Sequence, residues 1–285
     1  MGILNLTGDS FYEGSRLLSG DGTVKEKTLL SMAEGHIRGG ATILDVGAFS
    51  SRPGSEDMSA AEQLSRLLPS LRSLKSHFPD MEISVDTTSS EVVGTLYDEI
   101  GPFTVNDISA AEMDRGMLPL VGKAHLPYIA MHMRGTPKTM STLTDYGPWE
   151  DRAQEWGCSP VTAALVEYFR DFGKRASEAG VRNWILDPGF GFAKSIAQNY
   201  DLLRELPLLR DSVLDDGAKP YPLLVGLSRK SMAYRLLGIT PSEALPATQV
   251  LHYEALRGGA DILRVHDCAE ATRTIAIYRQ LAASH

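Results

Sequence analysis

The chain has 285 residues, 43% hydrophobic and 22% charged, with 28 basic against 36 acidic side chains and a net charge of −8. That composition supplies a large core and disfavours a partner gripped through phosphate contacts, such as nucleic acid. No apolar run reaches the roughly 18 residues of a membrane span, Met1-Gly2-Ile3-Leu4-Asn5 has no signal-peptide character, and Cys158 and Cys268 lack metal-type spacing, which together fit a cytoplasmic setting.

Met1 to Thr7 opens the chain as an apolar strand, followed by a polar, glycine-rich loop from Gly8 to Gly22. Thr23 to Arg38 has helical periodicity and stops at Gly39-Gly40. Ala41 to Gly47 is a second strand that opens into the loop Ala48 to Ser55. A helix from about Ser59 to Phe78 leads to a third strand, Met81 to Asp86. After a short helix come a fourth strand, Phe103 to Asp107, and a fifth, Pro127 to His132. The polar stretch Thr139 to Gly157 reads as an irregular surface excursion, and Val161 to Ala179 as a helix ended by Gly180.

The sixth strand, Trp184-Ile185-Leu186, is short and apolar enough to be buried on both faces. It ends at Asp187-Pro188-Gly189-Phe190-Gly191-Phe192-Ala193-Lys194, where proline and glycine break regular structure at once. A helix from about Ala197 to Leu209 and a polar insertion through Pro220 precede the seventh strand, Pro222 to Gly226. Helices then run to about Arg257, the eighth strand is Asp261 to His266, and a closing helix covers Ala269 to about Leu281. Eight strands alternating with helices, in a chain near the roughly 250 residues usual for such a barrel, point to one α/β domain, 1–285, built as a (β/α)8 TIM barrel. An open doubly wound sheet is the alternative.

In a barrel every strand exit meets at one face. The exits here carry Asn5, Ser51 with Arg52, Asp86, Asn106, His132, Asp187, Ser228 to Ser231, and Arg264 with His266. Singly, each has a plain structural reading: Asp86 or Asp187 capping a helix, Asn106 tying a turn, His132 a satisfied core histidine, Arg264 an ion-pair partner. Together, so many polar groups beside a buried barrel need something to organise them. Asp86, Asn106 and Asp187 suit the donor-rich edge of a planar nitrogen heterocycle. Arg52, Arg229, Lys230, Arg264 and His266 suit phosphate or carboxylate oxygens. There is no phosphate-binding G-x-x-x-x-G-K-[ST] loop, no dinucleotide fingerprint and no zinc-type cluster. Ser228-Arg229-Lys230-Ser231 holds a serine beside a lysine, but no base or oxyanion hole is placed to make a nucleophile of it.

These motifs, in this order, resemble the dihydropteroate synthase family from Met1 to about Ala282. The carriers are Met1 to Asn5, Asp45-Val46-Gly47 with Ser50 to Gly54, Ile83 to Thr87, Val105 to Ile108, Met131 to Met140, Asp187 to Lys194, Gly226 to Ser231 and Arg264 to Asp267. The resemblance implies a barrel enzyme that joins 4-aminobenzoate to a hydroxymethyl-dihydropterin diphosphate and releases diphosphate on the way to folate. It implies that Asp86, Asn106, Asp187 and Lys230 hold the pterin, with Asp86, Asp187 and Lys230 the catalytic set. It further implies Mg²⁺ bound by Asn5 together with the diphosphate, which Arg264 and His266 grip. Ser51, Arg52, Pro53, Phe192 and Ser231 would form the aminobenzoate side, where sulfonamides also bind in this family. Loops 8–22 and 48–58 would close over the site, and the last helices would pair two copies into a homodimer. A methyltetrahydrofolate methyltransferase-like domain would share the Asp/Asn/Asp set without needing the diphosphate-gripping pairs, and a non-catalytic pterin-binding paralogue is the reading from a different class.

The chain also departs from the family pattern. Gly8 stands for a usual proline, Ala48-Phe49 adds bulk beside the aminobenzoate pocket, Ser51 replaces a usual threonine, and Ala193 replaces a common glycine. Family members commonly have a hairpin ahead of the first strand that closes the barrel floor. Its near absence here leaves a different floor, or a start placed elsewhere, as the expectation.

Overall fold

Short runs rich in Val, Ile and Leu make strands, and the amphipathic segments between them make the helices that cover those strands. The computed structural model describes residues 1–7, 17, 24–49 and 58–283. The strands are β1 (Gly2–Asn5), β2 (Ile43–Gly47), β3 (Glu82–Asp86), β4 (Thr104–Asp107), β5 (Tyr128–Met131), β6 (Trp184–Asp187), β7 (Leu224–Val225) and β8 (Ile262–Leu263). Strands β1 to β6 pair in parallel and in sequence order, and β7 pairs with β8. Two parallel bridges join these pieces, Leu186 to Leu223 and Gly2 to Val265. The amide of Ile3 donates to Val265 O at 3.0 Å, and that of Val265 to Met1 O at 2.9 Å. The eight strands therefore close on themselves as a (β/α)8 barrel rather than ending in an open sheet. Strands β7 and β8 are shorter than their apolar runs because only single bridges reach their outer neighbours.

Alternation along the strands sorts side chains between inside and outside. Leu44 and Val46 of β2 pack outward into the main core beneath the helices, as Val85, Val105 and Leu186 do on their strands. Met1, Ile129 and Leu224 form a separate cluster with Ile43, Ile185 and Ile262, one apolar layer across the barrel floor. The same alternation turns Asp45, Ser84, Asp86, Asn106, Asp187 and Arg264 inward, above that floor.

Eleven α-helices lie among the described residues: α1 (Glu26–Arg38), α2 (Ala60–His77), α3 (Ser90–Ile100), α4 (Met117–Ala124), α5 (Glu150–Trp156), α6 (Pro160–Glu178), α7 (Ile196–Arg204), α8 (Leu206–Ser212), α9 (Ser231–Leu237), α10 (Leu245–Arg257) and α11 (Cys268–Ala282). Helix α2 begins with a reciprocal capping box between Ser59 and Glu62, and α7 with one between Ser195 and Gln198. Ser89 and Ser159 cap α3 and α6. Three expectations need correction. Helix α4 was not foreseen, because its glycines and proline hide an apolar face that buries Met117, Leu118 and Val121. The helix expected from Ala197 to Leu209 is two, divided at Glu205, with Pro207 in the first turn of the second. The stretch Thr139 to Gly157 is not an irregular excursion. It contains two 3₁₀ turns and α5, and buries Met140 and Tyr146. Among the described residues no helix is long and apolar enough to cross a membrane.

Candidate active site

Asp86, Asn106, Asp187 and Arg264, with the loops after the strands, surround one cavity of about 510 Å³ at the C-terminal end of the barrel. Asn5, Asp86, Asn106, Asp187, Phe192, Lys230, Ser231, Arg264 and His266 all line it. Ser51, Arg52 and Pro53, most of the 8–22 loop and all but the ends of the 48–58 loop lie outside the described residues. A second cleft, of about 690 Å³, lies between α6 and the 213–221 segment and contains none of these residues.

One wall offers acceptors. Asp86, Asn106 and Asp187 are buried where β3, β4 and β6 end. Oδ2 of Asp86 accepts from Arg264 Nη2 at 2.9 Å, while its Oδ1 is buried without a hydrogen-bond partner. A buried, unpaired carboxylate oxygen is costly, and its residue lines the cavity where a donor-bearing ligand would sit. Burial pushes the Asp86 carboxyl up to about 7, with Arg264 opposing the shift and Asp45 adding to it. Asp187 is also raised by burial, against the stabilising pull of the Gly189 N–H, which donates to its Oδ1 at 2.8 Å.

Cationic groups line the same cavity beside these acceptors. The Lys230 ammonium lies 4.4 Å from the centre of the Phe192 ring. Removal from water, and then the charge of Arg264, lower its pKa to about 8. His266 opens toward the cavity mouth, and crowding by protein, followed by Arg264, holds its pKa below the ordinary value. Phe192 belongs to an apolar cluster with Ile108, Met131 and Met140, against which Phe49 packs. That cluster gives the cavity a flat, polarisable side suited to an aromatic ligand.

The loop after β6 is shaped for close packing. Gly189 has φ +65°, and a Cβ there would stand 2.1 Å from His132 O, so only glycine fits. Ala193 also sits in the left-handed region, at φ +50°, which costs about 1 kcal/mol relative to glycine. Its place in a family-typical glycine position is therefore a strained one rather than a neutral change.

Two expected site residues are otherwise engaged. His132 does not reach the cavity. Its Nδ1 accepts from Lys194 Nζ at 3.0 Å, and the same ammonium donates to the carbonyls of Gly189 and Phe192, each at 3.0 Å. Lys194 thus pins the β6 loop from behind, and burial lowers its pKa to about 7. Arg229 lines the cavity but turns its guanidinium onto Asp267 through two 2.9 Å hydrogen bonds and onto Pro241 O and Ser242 O. With φ +52° its backbone is strained, and the bidentate pair holds the turn that aims Lys230 inward.

Sequence reasoning missed Lys194 and Asp45 as site-forming residues. The signal for Asp45 was a carboxylate in the middle of Ile43-Leu44-Asp45-Val46-Gly47, on a strand otherwise apolar on both faces. The 139–157 stretch was a third omission. The hydroxyl of Tyr146 donates to Ala193 O at 3.2 Å and Gln198 Nε2 donates to Thr144 O at 2.8 Å, so this segment braces the β6 loop.

A closed barrel with this cavity defines a pterin-type enzyme, and the chain belongs to the pterin binding enzyme family, whose model matches residues 1–266. It is 39% identical over 268 residues to a dihydropteroate synthase of Synechocystis, spanning 94% of this chain and 84% of that one. Among solved structures, the Yersinia pestis dihydropteroate synthase with a sulfonamide drug superposes with a TM-score of 0.84 at 32% identity, covering 100% of this chain and 93% of that one. The Burkholderia cenocepacia dihydropteroate synthase complexed with 7,8-dihydropteroate gives 0.82 at 29% identity, covering 99% and 91%.

Proposed function

We propose that the chain is a dihydropteroate synthase, joining 4-aminobenzoate to 6-hydroxymethyl-7,8-dihydropterin diphosphate with release of diphosphate. The observation that carries this reading is one cavity lined both by buried acceptors, among them Asp86 with its unpaired Oδ1, and by the cations Lys230 and Arg264. A pterin presents N–H donors along its aminopyrimidine edge, and Asp187, Asn106 and Asp86 supply oxygens for them. In this reading Arg264 and His266 take the diphosphate, and Ser231 and Phe192 the aminobenzoate; all four line the same cavity.

Among the described residues no group of His, Cys, Asp and Glu gathers to hold a metal on its own. Mg²⁺ is usually held by one or two protein oxygens plus phosphate and water, and the Asn5 side chain on the cavity wall supplies such an oxygen. The donor set therefore fits an ion arriving with the diphosphate, which would neutralise charge on that leaving group.

The reaction breaks the bond between the pterin methylene and the diphosphate oxygen, whose electron pair leaves with the diphosphate. Cationic groups at the site stabilise that charge as it develops, and the electron-rich pterin stabilises the methylene left behind. The amine nitrogen then forms the new C–N bond and loses a proton, so no strong general base is needed. Holding both substrates end to end in one cavity provides the orientation. Formation of diphosphate that requires Mg²⁺ and both substrates tests the reading.

A homodimer is the assembly this reading favours. Five of the seven large hydrophobic side chains exposed among the described residues, Leu236, Leu237, Val250, Ile277 and Leu281, are on α9, α10 and α11. Tyr253 and Tyr278, in edge contact at 6.2 Å, join α10 to α11 beside them. Sedimentation equilibrium is expected to give twice the 31.0 kDa chain mass, and a single-chain mass at micromolar concentration would count against it.

A further inference from the structure

Asp45 does not line the cavity and is fully buried in the barrel interior, yet donors from β3, from β4 and from just beyond β8 end on it. Ser84 Oγ donates to its Oδ1 at 2.7 Å. Asn106 Nδ2 donates to both oxygens, at 3.2 and 3.1 Å. Arg264 Nε donates to Oδ2 at 2.7 Å, and Arg264 Nη2 lies 2.6 Å from the same oxygen.

This has a chemical consequence for the ligand. An asparagine amide is a donor at one end and an acceptor at the other. Because the Asn106 nitrogen is committed to Asp45, its carbonyl oxygen is the end left for the cavity it lines. Arg264, held by Asp45, also donates to Asp86 Oδ2, which fixes that carboxylate with Oδ1 unpaired. We propose that Asp45 is a positioning residue of the pterin half of the site, setting the amide orientation of Asn106 and the seat of Arg264 so that two acceptor oxygens, on Asn106 and Asp86, face the heterocycle. The proposal rests on the pterin reading above.

An ordinary buried ion pair with Arg264 would also explain the burial of Asp45, but it predicts a loss of stability without selectivity between the two substrates. The charged groups facing Asp45 and Asp86 are Arg264 from beyond β8, Asp107 from β4, Asp187 from β6, Lys230 from the loop after β7 and the amino group of Met1. None but Asp45 and Arg264 directs the Asn106 amide or Asp86 Oδ2 through a hydrogen bond.

The test uses the full chain in the two-substrate assay, with thermal unfolding alongside. In D45N the amide at position 45 turns a donor toward other donors, and Asn106 is free to flip. KM for the pterin diphosphate is expected to rise about tenfold or more, the size of one misdirected hydrogen bond, with KM for 4-aminobenzoate within about twofold of wild type. A folded D45N with an unchanged pterin KM, or with an equal rise in both KM values, overturns the proposal. Should D45N fail to fold, Ser84→Ala carries the test: it removes one donor to Asp45 outside the cavity. A selective pterin KM increase of about threefold supports the proposal, and equal KM values for wild type and variant overturn it. Wild-type chain that never turns over the pterin substrate defeats the functional reading itself, whereas normal wild-type turnover with an indifferent variant defeats only the role of Asp45.

Discussion

Lys230→Ala is expected to lower kcat/KM for the pterin diphosphate at least about 100-fold, equivalent to about 2.7 kcal/mol of barrier, while the melting temperature stays close to wild type. Lys230 stands on the turn after β7, its ammonium against the Phe192 ring and inside the field of Asp187 and Asp86. With a pKa lowered only to about 8, it remains mostly protonated at neutral pH. A cation there meets both the electron-rich ring system and the charge moving onto the leaving group, where a water-poor cavity amplifies its effect. The side chain lines the cavity instead of filling the core, so its loss leaves the barrel packing intact. Steady-state rates and a melting curve measured on one preparation check both halves. A variant with near-normal turnover would remove Lys230 from the site.

Asp187→Asn is expected to cost at least about 100-fold in kcat/KM, mostly through the pterin KM. The substitution keeps volume and keeps an acceptor for the Gly189 N–H that now bonds Oδ1 at 2.8 Å. What changes is the second oxygen, which becomes an amino group facing ligand N–H donors. Two donors aimed at each other in a buried site are left unsatisfied on both sides, the costliest arrangement for neutral groups. The ionised carboxylate is also lost, and with it a partner for the positive field of Lys230, Arg264 and Lys194. Substrate-dependence curves separate the two contributions. Unchanged KM values would place the pterin edge elsewhere.

Much of this site was legible because barrel topology carries strand exits to a common place. Asp86 and Asp187 end their strands and Asn106 is next to last on its own, in apolar runs whose length and composition already mark them as buried, so the carboxylate or amide there needs no tertiary knowledge to be noticed. Asp45 escaped because it sits mid-strand, where an inward side chain is visible only once the alternation of Ile43, Asp45 and Gly47 is set against a closed barrel. Lys194 and His132 were each visible, but their pairing was not: residues 62 apart meet only through the parallel register of β5 and β6. The 139–157 stretch misled because its polar composition resembles a solvated loop. Its structural work is done by Met140 and Tyr146, two side chains too far apart to make a periodic pattern. Arg229 was read as a ligand group from charge alone, and only the position of Asp267 reveals where its guanidinium goes.

The most direct test of the account is the release of diphosphate by the purified chain, followed with each component omitted in turn. Turnover is expected to need the pterin diphosphate, 4-aminobenzoate and Mg²⁺ together, with dihydropteroate formed in equal amount to the diphosphate. Diphosphate release that ignores 4-aminobenzoate, or pterin binding with no release at all, would contradict it.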